Sequence, residues 1–404
     1  MSRVVIIGGG PAGLACAIEL RRQGVSDVVV LDREQQAGGI PRHCEHQGFG
    51  LRDLRRALSG PAYARRYVEL ADEAGVVVRP EAMVTGWSGE ALEVTSPEGR
   101  EALTASAIVL ATGCRERPRA ARLVPGSRPE GVFTTGLLQQ LAQQELPIGR
   151  RALIVGAEHV SFSALLTLVH AGVDVVGMVT PYRRHQSLPF AGTAAALRYR
   201  TPLSTRTEVA AIHGRGRVEE VDLLELDTGQ ARQVACDTVV FTGDWIPDHE
   251  LAVQGGIELD PGTRGPRIDA AHRTAHPGVF AAGNVVQGAE PADVAALAGK
   301  HTAAAVALWL RKGDWPARVH VSCLAPLTWI SPNAVADDSP PVRRRMLLRA
   351  AAFLDRPRIE IRQDGRTLWS GTLRKVVPGR SASLPWEWTR AVDPKGGPIE
   401  VSAH

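Results

Sequence analysis

The chain has 404 residues, 44% of them hydrophobic and 22% charged, with a formal net charge of +4. At about 150 residues per domain this predicts two or three domains with ample core, and the composition excludes wholesale disorder. The small charge, with no basic stripe interleaved with aromatics, predicts no nucleic-acid partner.

Residues 3–32, RVVIIGGGPAGLACAIELRRQGVSDVVVLD, predict a strand, a tight turn, an amphipathic helix and a second strand. GGGPAG at 8–13 opens the helix and Asp32 closes the second strand, which is the context a dinucleotide-binding turn requires. Gly8 serves the turn, Gly10 lets backbone approach a pyrophosphate, and Gly13 lets helix and strand pack closely. The helix N-terminus offers N–H groups and the positive dipole end, and Asp32 accepts hydrogen bonds from a ribose diol. TASAIVLATG (104–113) is a further strand ending at Ala111, Thr112 and Gly113, and RERPRAARLVPGSRPEG (115–131) reads as a linker.

Residues 151–180 repeat the first unit at an offset of 148: Gly156 matches Gly8, Gly172 matches Gly24, and Thr180 matches Asp32. DTVVFTGDWIPD (237–248) and PGVFAAGN (277–284) are further strands leading into turns, and a helix follows from about 292, with Pro291 in its first turn. From about 318 short strands take over, with a hairpin signal at Asp364-Gly365, so a small C-terminal β domain is expected over 318–404.

The second unit keeps the apolar scaffold and loses the ligand features. Glu158 replaces the second glycine, Ser161 the third, and Thr180 the ribose acid. A carboxylate where pyrophosphate should lie repels it, so Glu158 is expected to satisfy the helix N–H groups itself and NAD(P) is not expected to bind. The competing reading is NADPH bound through Arg183 and Arg184, which suit a 2′-phosphate.

The five cysteines, at 16, 44, 114, 236 and 323, form no CxxC. A disulfide scaffold, a cysteine zinc site and any metal centre are therefore not expected, and a reducing, cytoplasmic compartment is. The chain enters a strand at once, so no secretory signal is expected, and no run of eighteen apolar residues predicts a membrane span. Cys44 lies in HCEHQGFG, where His43 and His46 are placed to favour its thiolate and are themselves candidates for proton transfer. The other reading of Cys44 is a buried, inert thiol.

GGGPAG, the ATG at 111–113, the second nucleotide unit and VFAAGN at 279–284 together resemble the pyridine nucleotide–disulfide oxidoreductases over residues 1–312. The resemblance implies an α/β fold with two Rossmann-like FAD/NAD(P)-binding domains, similar to thioredoxin and glutathione reductases, plus the C-terminal β domain. It places a discontinuous FAD domain at 1–118 and 246–312, and an NAD(P)-like domain at 119–245. It also implies FAD held by Gly8, Gly10, Pro11, Ala12, Gly13, Asp32, Arg33, Gly39, Ala111, Thr112, Gly113, Gly283, Asn284, Asp293 and Val294. The family usually carries Asp at position 284, where Asn keeps hydrogen bonding but drops the charge. GGIPRHCEHQGFGLRDLRRALSGPAYARR (38–66), GVFTTGLLQQL (131–141) and MVTPYRRHQSL (178–188) are similar to flavoproteins that accompany anaerobic-type glycerol-3-phosphate dehydrogenases. More distantly the chain resembles the α subunits of opine, amino-acid and cyanide-forming dehydrogenase complexes. These likenesses imply a flavin exchanging electrons with a small organic substrate or a partner dehydrogenase subunit, in a possible oligomer. The alternatives are an NAD(P)H-dependent disulfide-type reductase using Cys44, and a flavin-binding, non-catalytic subunit.

Overall fold

The computed structural model describes residues 2–187, 189, 192 and 197–404. The chain divides into two compact units, the first Met1–Arg42, Gln47–Cys114 and Pro247–His404, the second His43–His46 and Arg115–Ile246.

The first unit is built on a five-stranded parallel sheet in the order Val279–Ala281, Ala107–Leu110, Val4–Ile7, Val28–Leu31, Val77–Arg79. Its strands are largely apolar because both faces are covered. Val4 and Ile6 pack with the helices Pro11–Arg22, Gly60–Glu73 and Ala292–Lys312, while Val5 and Ile7 belong to a second cluster with Val84, Leu92 and Val94. Those last residues come from the antiparallel ribbon Met83–Ser88, Ala91–Ser96, Gly99–Leu103. The helices Pro11–Arg22 and Ala292–Lys312 cross where Gly299 meets Ala12: a Cβ on Gly299 would stand 1.8 Å from the Ala12 carbonyl oxygen.

From Val319 the chain forms a five-stranded sheet and a three-stranded sheet enclosing their own core, with Ile330, Leu348, Ile361, Trp386 and Trp388 buried. The strands Arg358–Gln363 and Arg366–Thr372 pair around Asp364 (φ 48°) and Gly365 (φ 76°). Two positive φ angles in a two-residue loop give the type I′ hairpin expected of Asp-Gly.

The second unit repeats the plan, with a parallel sheet in the order Val132–Thr134, Thr238–Phe241, Arg151–Val155, Asp174–Val179, Leu203–Ser204. Its helix His159–His170 matches Pro11–Arg22 end for end at the offset of 148. The crossing read as a linker is fastened down. Arg119 is buried and donates to the Val124 and Pro125 carbonyls, and Arg122 donates to the carbonyls of Arg117, Thr242 and Gly243. Guanidinium groups with several backbone acceptors replace the solvent that a loose linker would need. No helix among the described residues is long and apolar enough to cross a membrane.

Gly299→Val should force the two long helices apart and cost about 1–3 kcal/mol. Ala304→Val, at an exposed position of the same helix, should cost less than about 0.5 kcal/mol. Urea midpoints followed by tryptophan fluorescence distinguish the two.

Candidate functional site

The glycine turn of the first unit is shaped by contacts on three sides. A Cβ on Gly8 (φ 109°) would lie 2.4 Å from the Ala111 carbonyl oxygen, and one on Gly13 would lie 1.9 Å from the Gly8 carbonyl oxygen. Both positions therefore exclude side chains. Gly10 is different: the nearest atom to an added Cβ is the Gly39 Cα at 3.9 Å. No side chain packs against the helix N-terminus there: Pro11 stands in the first helical turn and the bare Gly39 backbone lies opposite. That is a cradle a pyrophosphate fits.

Asp32 is buried at the end of the second strand. Its Oδ2 accepts the Gly9 N–H at 2.8 Å and its Oδ1 the Glu34 N–H at 2.9 Å, so the carboxylate ties the turn to the strand. Arg33 faces Asp248 at 3.5 Å, and Thr112 Oγ1 donates to the Asp248 carbonyl at 2.6 Å while the Gly113 carbonyl accepts the Asp248 N–H. Ala12 lies buried beneath Gly283 (φ 77°), where a Cβ would meet the Ala12 methyl at 2.6 Å.

The remaining candidates of this unit are partly engaged. The Asn284 amide bridges to Glu290, its Oδ1 accepting the Glu290 N–H and its Nδ2 donating to the Glu290 carbonyl. Asp293 is buried, and both its oxygens accept from the Arg52 guanidinium at 2.9–3.0 Å. Val294 follows it in the first turn of the helix Ala292–Lys312. Arg52 was not singled out in the sequence. Its partner lies 241 residues away, and nothing local signals the pair.

In the second unit, Gly156 (φ 143°) keeps the turn. Glu158 is the N-cap of the helix His159–His170, and its carboxylate lies back over the glycine turn. Its Oε2 accepts the Ala157 N–H at 3.0 Å, and its Oε1 lies 2.7 Å from where a Cβ on Gly243 would stand. Ser161 Oγ accepts the Glu158 N–H and shares a hydrogen bond with Thr242 Oγ1. Thr180 is buried at its strand end. The loop beyond it, which carries the exposed Arg183 and half-buried Arg184, returns to the turn: the Gln186 N–H donates to the Ala157 carbonyl at 2.9 Å, and Ser187 bonds His159 at 2.8 Å.

Cys44 packs in the second unit, where its thiol donates to Gln139 Oε1 at 3.3 Å and Gln139 Nε2 donates to Ser163. Burial pushes the Cys44 thiol up to about 12, opposite to the activation expected from His43 and His46. His43 bonds Gln143 through its Nδ1. His46 is half-buried on the same segment. Among the described residues no group of His, Cys, Asp and Glu is arranged to hold a metal ion.

Glu116 escaped the sequence reading. It sits between two arginines in a stretch that looks like linker, yet it is buried, with Oε2 accepting the Gly136 N–H at 2.8 Å and Oε1 without a hydrogen bond. Burial, opposed by that N–H and reinforced by the charge of Glu158, pushes its carboxyl up to about 7. A carboxyl raised on folding favours the folded state fully below its unfolded value near 4.5, and that contribution is lost as pH rises through about 7. Wild type should therefore lose stability relative to Glu116→Gln between pH 5 and pH 8, by up to about 3 kcal/mol, read from urea midpoints at the two pH values.

Residues 2–299 match the family described as pyridine nucleotide-disulphide oxidoreductase. The chain is 29% identical over 349 residues to the hydrogen cyanide synthase subunit HcnB of Pseudomonas aeruginosa, covering 78% of this chain and 72% of that protein. It is 26% identical over 391 residues to an opine oxidase subunit of Rhizobium meliloti, covering 87% and 68%. It spans about half the length of some other curated relatives it matches. The thioredoxin reductase structure of Lactococcus lactis superposes with a TM-score of 0.65 at 20% identity, covering 77% of this chain and all of that one, which shows the shared two-domain fold. The match over residues 2–299 shows that the chain belongs to the pyridine nucleotide-disulphide oxidoreductases and is an FAD-dependent oxidoreductase.

Proposed function

We propose that the flavin of this protein exchanges electrons with a small organic substrate or a partner subunit, without a bound nicotinamide nucleotide. FAD supplies reversible redox chemistry when bound. The chain would hold its pyrophosphate at Gly10, Pro11 and Gly39, its ribose at Asp32, and the remainder along Gly283, Asn284 and Val294.

The observation that carries the reading is the Glu158 carboxylate. It occupies the space between Gly156 and Gly243, on the face of the turn where a second dinucleotide would place its phosphates. The loop 181–187, fastened to Ala157 and His159, supports the same reading. So do the names of two relatives, each a subunit of an assembly. The finer likeness to flavoproteins accompanying glycerol-3-phosphate dehydrogenases fits a chain that works beside a dehydrogenase, with 318–404 as its added β domain.

On this reading Cys44 is a packing residue, since a buried thiol bonded to Gln139 is protonated at neutral pH. His43 and His46 remain the candidates for proton transfer on that segment.

Mixed anaerobically with the purified holoprotein, NADH and NADPH should fail to bleach the flavin band at a rate above about 1 s⁻¹. α-Glycerophosphate and amino acids are the donors to compare, and rapid bleaching by either nicotinamide overturns the proposal. Cys44→Ser should leave the flavin spectrum unchanged and turnover within about twofold. A loss of about 10²-fold or more would instead place the thiol in the chemistry.

A further inference from the structure

The C-terminal β region reaches back to the loop after Gly283 through one buried arginine. Arg349 lies on Met346–Ala350, the middle strand of the three-stranded sheet, between Leu327–Ser331 and Ala382–Leu384. Both neighbouring strands help to hold it. Trp329 is its cross-strand partner, with its ring 4.9 Å from the guanidinium, and Ser381, just ahead of the third strand, accepts from Nε at 3.3 Å. The side chain is therefore buried, stacked and bonded within the sheet that carries it.

Its two Nη atoms both serve one loop. Nη1 donates to the Gly288 carbonyl at 2.9 Å, and Nη2 donates to the Ala289 carbonyl at 3.1 Å and to Glu290 Oε1 at 3.2 Å. Ser381 Oγ donates to the same Glu290 oxygen, and Ser331 Oγ donates to Gln287 Oε1 at 2.8 Å. Residues 287–290 are thus fastened to the β region one after another. Ala289 is held at φ 68°, a conformation that an L-residue takes only at an energetic cost. These bonds to the β region help to offset that cost.

The other end of the loop is closed by Asn284. Its Oδ1 accepts the Glu290 N–H at 3.1 Å, and its Nδ2 donates to the Glu290 carbonyl at 3.2 Å. Both halves of the amide are needed, since an aspartate of the same shape would set a carboxylate oxygen against that carbonyl. Glu290 is the shared piece: Asn284 holds its backbone, while Arg349 and Ser381 hold its carboxylate. A guanidinium with several fixed acceptors braces such a loop in a way that a lysine, with its single nitrogen, could not. Groups that contact a ligand keep their geometry when bonds behind them lock it.

We infer that Arg349 is a positioning residue of the cofactor site. With Glu290 it fixes the loop 284–290, so that the C-terminal β region sets the geometry of the Gly283–Asn284 turn for the part of FAD beyond its pyrophosphate. The inference rests on the placement of FAD along that turn under the proposed function.

The test compares FAD with ADP, which carries the adenosine and pyrophosphate and lacks the rest. Dissociation constants are measured by calorimetry on the full chain stripped of flavin, FAD by displacement of ADP. Arg349→Met with Glu290→Gln removes both charges of the pair, so no buried charge is left unpaired. It should raise the FAD constant about tenfold or more and leave that of ADP within about twofold, a selectivity that general loss of folding would not produce. Arg349→Lys should fall between wild type and the double variant. Asn284→Ala should weaken FAD similarly, and the three substitutions together should add little, because all act through one loop. Unchanged FAD affinity in Asn284→Ala overturns the placement of FAD on this turn. A loss there, with unchanged FAD affinity in the Arg349→Met, Glu290→Gln variant, overturns the positioning role alone. Equal weakening of ADP, or full additivity, overturns it too.

Discussion

The first unit depends on a close approach of backbone to backbone. Gly13 rests on the Gly8 carbonyl, Gly8 on Ala111, and Gly299 and Gly283 on Ala12. Four positions without side chains bring the helices Pro11–Arg22 and Ala292–Lys312 and the central strands into contact at one point. The helix N-terminus is thereby held rigidly behind Gly10. The anion-binding power of a helix end needs its N–H groups fixed in direction, and here packing fixes them before any ligand arrives.

The same construction, repeated 148 residues later, has taken another course. Gly156 keeps the turn, and Thr242 lies where its side chain would be, so the backbone path is retained. What changed is what stands in front of it. Ser161, in place of a glycine, accepts the Glu158 N–H and is buried against Thr242. Glu158 Oε2 accepts the Ala157 N–H just ahead of the helix, and its Oε1 is buried without a hydrogen bond. The apolar strands and helix preserve the fold, while Glu158, Ser161 and Thr180 change the groups presented at the turn.

Much of this was legible in the sequence, because strand, glycine turn, helix and acid occur in an order that few other structures use. Asp32 could be placed at its strand end from spacing alone. What could not be read were contacts made over long separations. Glu116 is buried by the Thr135–Gly136 helix start, twenty residues on, while its immediate neighbours Arg115 and Arg117 suggest solvent. Cys44 was open to two readings, a thiol activated by its histidine neighbours or a buried, inert one, and burial, which only the fold shows, raises its thiol against the Gln139 hydrogen bond. The direction of the Glu158 carboxylate, back over the turn, likewise required coordinates.

Glu158 also bears on competition. A carboxylate attached to the chain is a ligand at very high local concentration, and intramolecular contacts of this kind correspond to effective concentrations of millimolar or above. A free dinucleotide would have to displace it and then accommodate its charge nearby. On the proposed reading, raising the cellular supply of nicotinamide would not restore occupancy. On that reading Glu158 competes as a partner that cannot diffuse away, whatever the size of the nucleotide pool.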